Sequence, residues 1–348
     1  MKPQYILYLL LLLPLTQACK SNKPTASDYT ATAVSRMKNM NLTATTRAKR
    51  LFEEIPSASG VAHVQNAFYV VGDDSPFLYQ LNEEYQLVQR HALFDSSGVV
   101  NGRIPKAAKP DLESMTHFSY GRDELLLLLG SGASEARNKA YLVNLTDDMA
   151  VQELDLSRFY TFVKRVLRIE NEGVLNIEGL AMDDVYTYLL QRPAGAGSNI
   201  LIRMDTDDFK QFVLSKGDIP AAAVYYFKLP VLGQSPAGFS GAYTLDDKLF
   251  FTASVEDTPN AIDDGEVLGS FIGVIDLNAL PYATDELNPL EVPATKLQNP
   301  DGSAYIGKAE SLVVNRLEEG QYRVVVLSDD DAGHSELLEV QLGVTEQL

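Results

Sequence analysis

The sequence predicts an all-β fold: a single propeller of about five blades. A short signature recurs five times, each copy is followed by an apolar strand, and each of those strands leads through a polar turn to another. Units of this length, none able to bury its own apolar face, stack into closed rings of blades.

The signature copies are Ser59-Gly60-Val61, Glu113-Ser114-Met115, Glu178-Gly179-Leu180, Ser240-Gly241-Ala242 and Glu310-Ser311-Leu312, whose first residues lie 54, 65, 62 and 70 positions apart. The strands expected next are 67–72, 124–129, 185–190, 248–253 and 322–327, and the strands after those are 77–81, 139–145, 200–204, 271–277 and 336–342. Alternation and β-branched or aromatic content favour strand throughout, except near 157–166, which reads as helix. The stretch 282–305 leaves room for a sixth, degenerate blade. The last unit ends 38 residues after Glu310 and lacks an outer strand. Arg50–Ile55 is apolar enough to supply it, and closure by this N-terminal strand removes an exposed edge.

The N-terminus reads Met1-Lys2-Pro3-Gln4, an apolar run over 5–15, then Thr16-Gln17-Ala18-Cys19. Such a run is too short for a bilayer, which needs ~20 residues, but fits a signal. A cysteine directly after a small residue at its end resembles a bacterial lipoprotein signal, which makes Cys19, the chain's one cysteine, the expected lipidation site. Ordinary cleavage after Ala18 is the alternative. The expected organisation is a signal over 1–18, a lipid-anchored flexible tether over 19–46, rich in Ser, Thr, Ala, Asn and Lys, and the propeller over 47–348. The expected location is the cell envelope, as an outer-membrane lipoprotein or in the periplasm, with a lipid anchor in the membrane and the chain a monomer.

Lys plus Arg is 29 and Asp plus Glu is 47, a net charge of -18. Such a surface repels nucleic acid, so no nucleic-acid partner is expected, and it favours cations or cationic partners. The alternative is solubility alone.

Antiparallel geometry gathers the signature. If each copy opens an innermost strand, its first residue lies at one rim of the channel, and the next strand returns to the same rim. Glu113, Glu178 and Glu310 then converge with Asp73-Asp74, Ser131-Gly132, Arg192, Glu256-Asp257 and Asp329-Asp330-Asp331. Three carboxylates around a narrow axis repel one another unless a cation, a raised pKa or basic neighbours such as Lys109, Lys308 and Arg192 neutralise them. Oxygen-rich clusters suit Ca²⁺ or Mg²⁺. Expected metal ligands are Glu113, Glu178, Glu310, Asp329 and Asp331, with calcium the expected ion. The alternative is that the glutamates staple blade junctions by bonding backbone amides.

Asn176-Ile177-Glu178-Gly179-Leu180-Ala181, echoed around Glu113 and Glu310, resembles the Glu-Gly-Leu repeat of phytase-like and esterase-like propellers and is similar to the SdiA-regulated family of exported propellers. The acidic strand end at Val326–Asp331 resembles the strand ends at which those families often hold calcium. The resemblance implies a calcium-dependent hydrolase, whereas Ser59 and Ser240 stand where the repeat has Glu.

Other catalytic patterns are missing. Gly238-Phe239-Ser240-Gly241 lacks the spacing of a nucleophile elbow, and His63, His91, His117 and His334 show no metal-ligand spacing. His117 reads as a structural histidine, and Asp205–Asp208 and Asp263–Glu266 as solvated turns. Two functions follow. The first is a binding or scaffold propeller with a calcium-stabilised acidic rim. The alternative is a calcium-dependent phosphoesterase or esterase, with Glu113, Glu178 and Glu310 as catalytic candidates and Lys109, Arg192 and Lys308 holding the ligand. Whether the chain is an enzyme is open at this point.

Overall fold

The computed structural model describes residues 40–346 apart from 96, 101–102, 170–172, 194–196, 258–264, 282–283 and 330–332. Cys19 and Asp331 therefore lie outside the described residues, as do the expected signal and most of the expected tether.

Five antiparallel sheets form the ring. Blade 1 runs outward through Ala58–Val64, Ala67–Gly72, Phe77–Leu81 and Leu87–Ala92, and blade 2 through Leu112–Tyr120, Asp123–Gly130, Lys139–Asn144 and Ala150–Asp155. Blade 3 uses Ile177–Met182, Tyr186–Gln191, Asn199–Asp205 and Ala222–Lys228, and blade 4 uses Gly238–Leu245, Lys248–Asp257, Glu266–Asp276 and Ala294–Lys296. Blade 5 uses Lys308–Glu318, Gln321–Asp329 and Ser335–Glu346, and its fourth strand is Met40–Phe52 from the other end of the chain. The expected closure by an N-terminal strand is present, with Met40 opposite Glu346 and Phe52 opposite Ser335. The strand begins earlier than expected: 40–46, read as tether, is part of the ladder. Residues 290–296 add no sixth blade. Leu290–Glu291 pairs in parallel with the outer strand of blade 3, and Ala294–Lys296 is the outer strand of blade 4.

Each seam between consecutive blades holds its own core. The leucine run Leu125–Leu129 shows why the strands read as continuously apolar. Leu125, Leu127 and Leu129 pack toward blade 3, while Leu126 and Leu128 pack toward blade 1. Side chains alternate across a strand, so a strand buried on both faces has no polar side. The other three seams are filled in the same manner, with Phe239 and Phe251 between blades 3 and 4 and Val324 and Val326 between blades 4 and 5. Val325 and Leu327 fill the seam that closes the ring between blades 5 and 1.

Two helices fill out the seam between blades 2 and 3. The first, α1 (Ser157–Val166), sits where helix was expected and buries Phe159, Tyr160 and Val163. The second, α2 (Thr206–Val213), corrects the reading of Asp205–Asp208 as a solvated turn. Asp205 is its N-cap, accepting from the backbone N–H of Asp208 at 3.0 Å, and this satisfies an otherwise orphaned donor of the first turn. Among the described residues no helix is long and apolar enough to cross a membrane.

Candidate functional site

The five signature residues share one backbone device. The register of every innermost strand shifts at Ser59, Glu113, Glu178, Ser240 and Glu310, so each is the extra residue of a β-bulge. A bulge twists the strand locally and re-aims the side chain, here at the rim of the channel. The next position must be small because adjacent inner strands nearly touch there. A Cβ on Gly241 would lie 2.5 Å from the Glu310 carbonyl, and one on Gly179 would lie 3.1 Å from the Ala242 Cβ. Bulge, small residue and apolar residue make the repeat legible in the sequence.

The two serines act as staples. The Ser240 hydroxyl donates to the Ala309 carbonyl at 2.5 Å, and the Ser59 hydroxyl donates to the Leu112 carbonyl. Each reaches the residue preceding the glutamate of the next blade. The three glutamates do different work. Each feels the field of another: Glu113 faces Glu178, and Glu178 faces Glu310. The structure thus brings together the three residues expected to converge.

Around them lies a network of ions. Lys109 bridges Asp73 and Asp111, with 2.8 Å to Asp111, and Arg137 holds the other oxygen of Asp111 at 2.8 Å. Arg103 pairs with Asp74 and feels the charge of Asp329. Arg192 reaches Glu256 at 2.7 Å, and Lys308 lies 3.0 Å from Glu310 and 3.7 Å from Glu256. The expected ligand-holding residues Lys109, Arg192 and Lys308 are therefore all at the mouth, each already paired.

Counted by formal charge, five bases (Arg103, Lys109, Arg137, Arg192, Lys308) stand against five carboxylates (Asp73, Asp74, Asp111, Glu256, Asp329). With the three signature glutamates the carboxylates outnumber the bases by three, and Lys308 is shared between Glu256 and Glu310. Burial pushes the Glu113 carboxyl well above its ordinary range, and the charges of Asp111, Glu178 and Asp73 push it further. Burial likewise raises Glu178, against Arg192 and Lys308, and carries Glu310 up to about 8 despite Lys308. Glu256 goes the other way. Burial opposes its ionisation, but Lys308 and Arg192 outweigh burial and hold its carboxyl below the ordinary value. The neutral form of a carboxyl is favoured where burial outweighs the cations beside it.

Glu178 is 7% exposed and accepts from the Asn176 amide at 2.5 Å. Glu113 accepts no hydrogen bond among the described residues, although it stands beside Asp73 and Asp111. These three offer carboxylate oxygens within 4.8 Å of one another, an all-oxygen set of the type a hard cation takes. Of the five expected metal ligands only Glu113 belongs to it. Glu178 and Glu310 lie across the mouth among Arg192 and Lys308, Asp329 lies toward Arg103, and Asp331 falls outside the described residues. His117 is structural as expected, its Nε2 2.6 Å from Glu124.

Residues 54–342 match the model of a family of unknown function, DUF6929. The chain belongs to this DUF6929 family. No functionally curated protein matches it. Among solved structures, the glutaminyl cyclase of Myxococcus xanthus is similar at 14% identity and a TM-score of 0.39, covering 87% of this chain and 97% of that one. The GH43 endo-arabinanase of Bacillus licheniformis is similar at 11% identity and a TM-score of 0.37, covering 83% and 93%. The α-L-arabinanase of Cellvibrio cellulosa, complexed with arabinohexaose, is similar at 11% identity and a TM-score of 0.42, covering 84% and 92%. These likenesses are of fold.

Sequence reasoning missed Asp111, Arg103 and Arg137 as site residues, and named Asp73 and Glu256 only as rim positions. Asp111 had a signal: it stands two residues before Glu113 and takes a left-handed backbone, φ 56°, which aspartate tolerates better than most residues. Arg103 and Arg137 lie outside the repeat, and nothing in their spacing marks them.

Proposed function

We propose that the chain is a ligand-binding propeller whose site is the channel mouth on the signature side, and that its ligand is a small, uncharged, hydroxyl-rich molecule. The observation that carries this is Glu113, a carboxyl at the mouth that accepts no hydrogen bond among the described residues while burial and acidic neighbours favour its neutral form. A protonated carboxyl both donates and accepts, as does a hydroxyl group. Every base of the mouth already contacts a carboxylate, so an anionic ligand would have to displace a carboxylate and a cationic one a base, which is costly when buried. Calorimetry against a panel of monosaccharides and polyols tests the reading. Binding by a panel member, lost in Glu113→Leu, supports it, and no binding by a folded protein contradicts it.

Calcium belongs to this proposal at one place, Asp73, Asp111 and Glu113, whose oxygens suit it. The Lys109 ammonium already touches two of these carboxylates, so an ion has to displace it and to take the place of the Glu113 proton and of the uncharged ligand. The leader and Cys19 support a lipid-anchored location in the cell envelope, which lipid labelling abolished by Cys19→Ser tests.

A second reading, ester or phosphoester hydrolysis, is favoured by one observation. Glu310 and Glu256 both contact Lys308, yet their environments push them apart, Glu310 toward the acid and Glu256 toward the anion. Such a split assigns a proton donor and an ionised partner. Nitrophenol release from ester or phosphoester substrates, abolished by Glu310→Gln in a folded protein, supports it. The absence of turnover across both substrate types contradicts it.

A further inference from the structure

We infer that the outer face of α1 is a docking surface for an acidic peptide segment of a partner protein. Residues 157–168 carry Arg158, Lys164, Arg165 and Arg168 and no acidic residue, in a chain whose net charge is -18. The helix turns Phe159, Tyr160 and Val163 into the seam between blades 2 and 3. Arg158, Thr161 and Arg165 are left exposed, and their spacing of three and four residues sets them on one line along the helix. Arg168 is exposed just past its end.

Beside that line lies a shallow, open depression formed by Ser157, Arg158, Thr161 and Arg165, with Phe162 and Ile219 as its apolar members. The Arg165 guanidinium stands over the Phe162 ring, 5.6 Å from its centre. Among the described residues neither Arg158 nor Arg165 has a carboxylate within ion-pair distance. Five other arginines do: Arg103 pairs with Asp74, Arg137 with Asp111, Arg192 with Glu256, Arg316 with Asp246 and Arg323 with Glu339, whereas Arg47, Arg50, Arg90, Arg122 and Arg203 stand without a carboxylate partner among the described residues, as Arg158 and Arg165 do.

The charge selects the partner. An extended anionic lipid surface meets the acidic remainder of the molecule, as does a long polyanion. A short segment meets only the local arginines, because fields beyond about 8 Å are screened at physiological salt. Seven residues of helix separate Arg158 from Arg165 by about 10 Å. The fitting segment therefore carries two carboxylates at about that separation with an apolar side chain between them for Phe162 and Ile219.

Fluorescence anisotropy with a short labelled peptide of Glu and Leu tests the inference on the folded chain. Binding is expected at physiological salt, weakening as salt rises further, and is expected to weaken at least about tenfold in Arg158→Glu/Arg165→Glu. The milder pair Arg158→Gln/Arg165→Gln serves where the double charge reversal impairs folding, and both variants are checked by thermal melting. Arg50→Glu, on the N-terminal strand of blade 5, is expected to leave binding unchanged. Absence of binding at physiological salt overturns the inference, as does an equal loss in Arg50→Glu. Arginine-dependent binding of phosphatidylglycerol vesicles without binding of the peptide also overturns it, by assigning the face to a lipid surface.

Discussion

The hydroxyl of Ser240 donates to the carbonyl of Ala309 at 2.5 Å, across the seam between blades 4 and 5 and one residue before Glu310. Ser59 makes the same contact with Leu112, one residue before Glu113. Where the signature holds serine it ties blades together, and where it holds glutamate it furnishes the mouth. Ser240→Ala removes one buried hydrogen bond and leaves a carbonyl without its partner. A loss of about 1–2 kcal/mol is expected in urea denaturation, with a fall in any ligand affinity only if Glu310 moves as well.

Gly241 and Gly98 form a matched pair. A Cβ at Gly241 would sit 2.5 Å from the Glu310 carbonyl and 2.8 Å from the Ser311 Cα, both backbone atoms, whereas a Cβ at Gly98 meets nothing within 4 Å. Gly241→Ala should therefore cost about 2 kcal/mol or more. Gly98→Ala should be neutral or slightly stabilising, by up to about 1 kcal/mol through the unfolded chain. Melting temperatures of the two variants check the contrast.

The ring was legible because its repeat follows from a physical constraint at every blade. A bulge must aim one residue at the axis, and the next must be small where inner strands meet. The two apolar strands that follow read plainly because side chains on both faces are buried, as at Leu125–Leu129. The expected site was legible to the extent that the repeat carried it, through Glu113, Glu178 and Glu310. Lys109 and Lys308 were visible because they stand within five residues of a signature, and Arg192 because it ends a strand. The ions that neutralise the aspartates were not, since Arg103 and Arg137 come from connections whose course depends on tertiary packing. The start of the N-terminal strand was misread for a related reason. Met40–Thr46 is polar in composition, and it is a strand because Ser335–Glu346 offers it an open edge to pair with.

Lys109 keeps Asp73 and Asp111 compatible with each other, and its own pKa is raised because the three acidic groups around it outweigh burial. Lys109→Met leaves two close carboxylates without their shared cation. A loss of about 3 kcal/mol is expected from breaking such a pair on one side. Calcium should then raise the melting temperature of the variant more than that of the parent, because the competing ammonium is gone. Melts with calcium and with a chelator read this directly, and identical calcium shifts in the two proteins would remove calcium from the proposal.

Stability should fall as pH rises through neutrality. Glu310 has a folded pKa of about 8 against an ordinary 4.5, so between those values the folded state holds a proton that the unfolded state has released. Its stabilising contribution is complete below about 4.5 and lost as pH approaches 8. The steepest slope is about 1.4 kcal/mol per pH unit for one such group. Glu113 and Glu178 are shifted in the same direction and steepen the fall. Glu256 has the opposite sign, and its contribution is lost as pH drops below the ordinary carboxylate range. Melting temperatures across pH 5 to 9 should decline, and Glu310→Gln, which mimics the protonated form, should flatten the decline.

The central claim is that burial at the mouth favours the neutral form of its signature glutamates, as donors to a ligand, and that Glu310 thereby holds its proton near neutral pH. Carbon-13 NMR of glutamate-labelled protein measures this most directly, with Glu310→Gln identifying the Glu310 carboxyl signal. A titration midpoint near 8 is expected for that signal. A midpoint at or below the ordinary 4.5 would contradict it, because Glu310 would then be an ionised partner of Lys308 with no proton to offer.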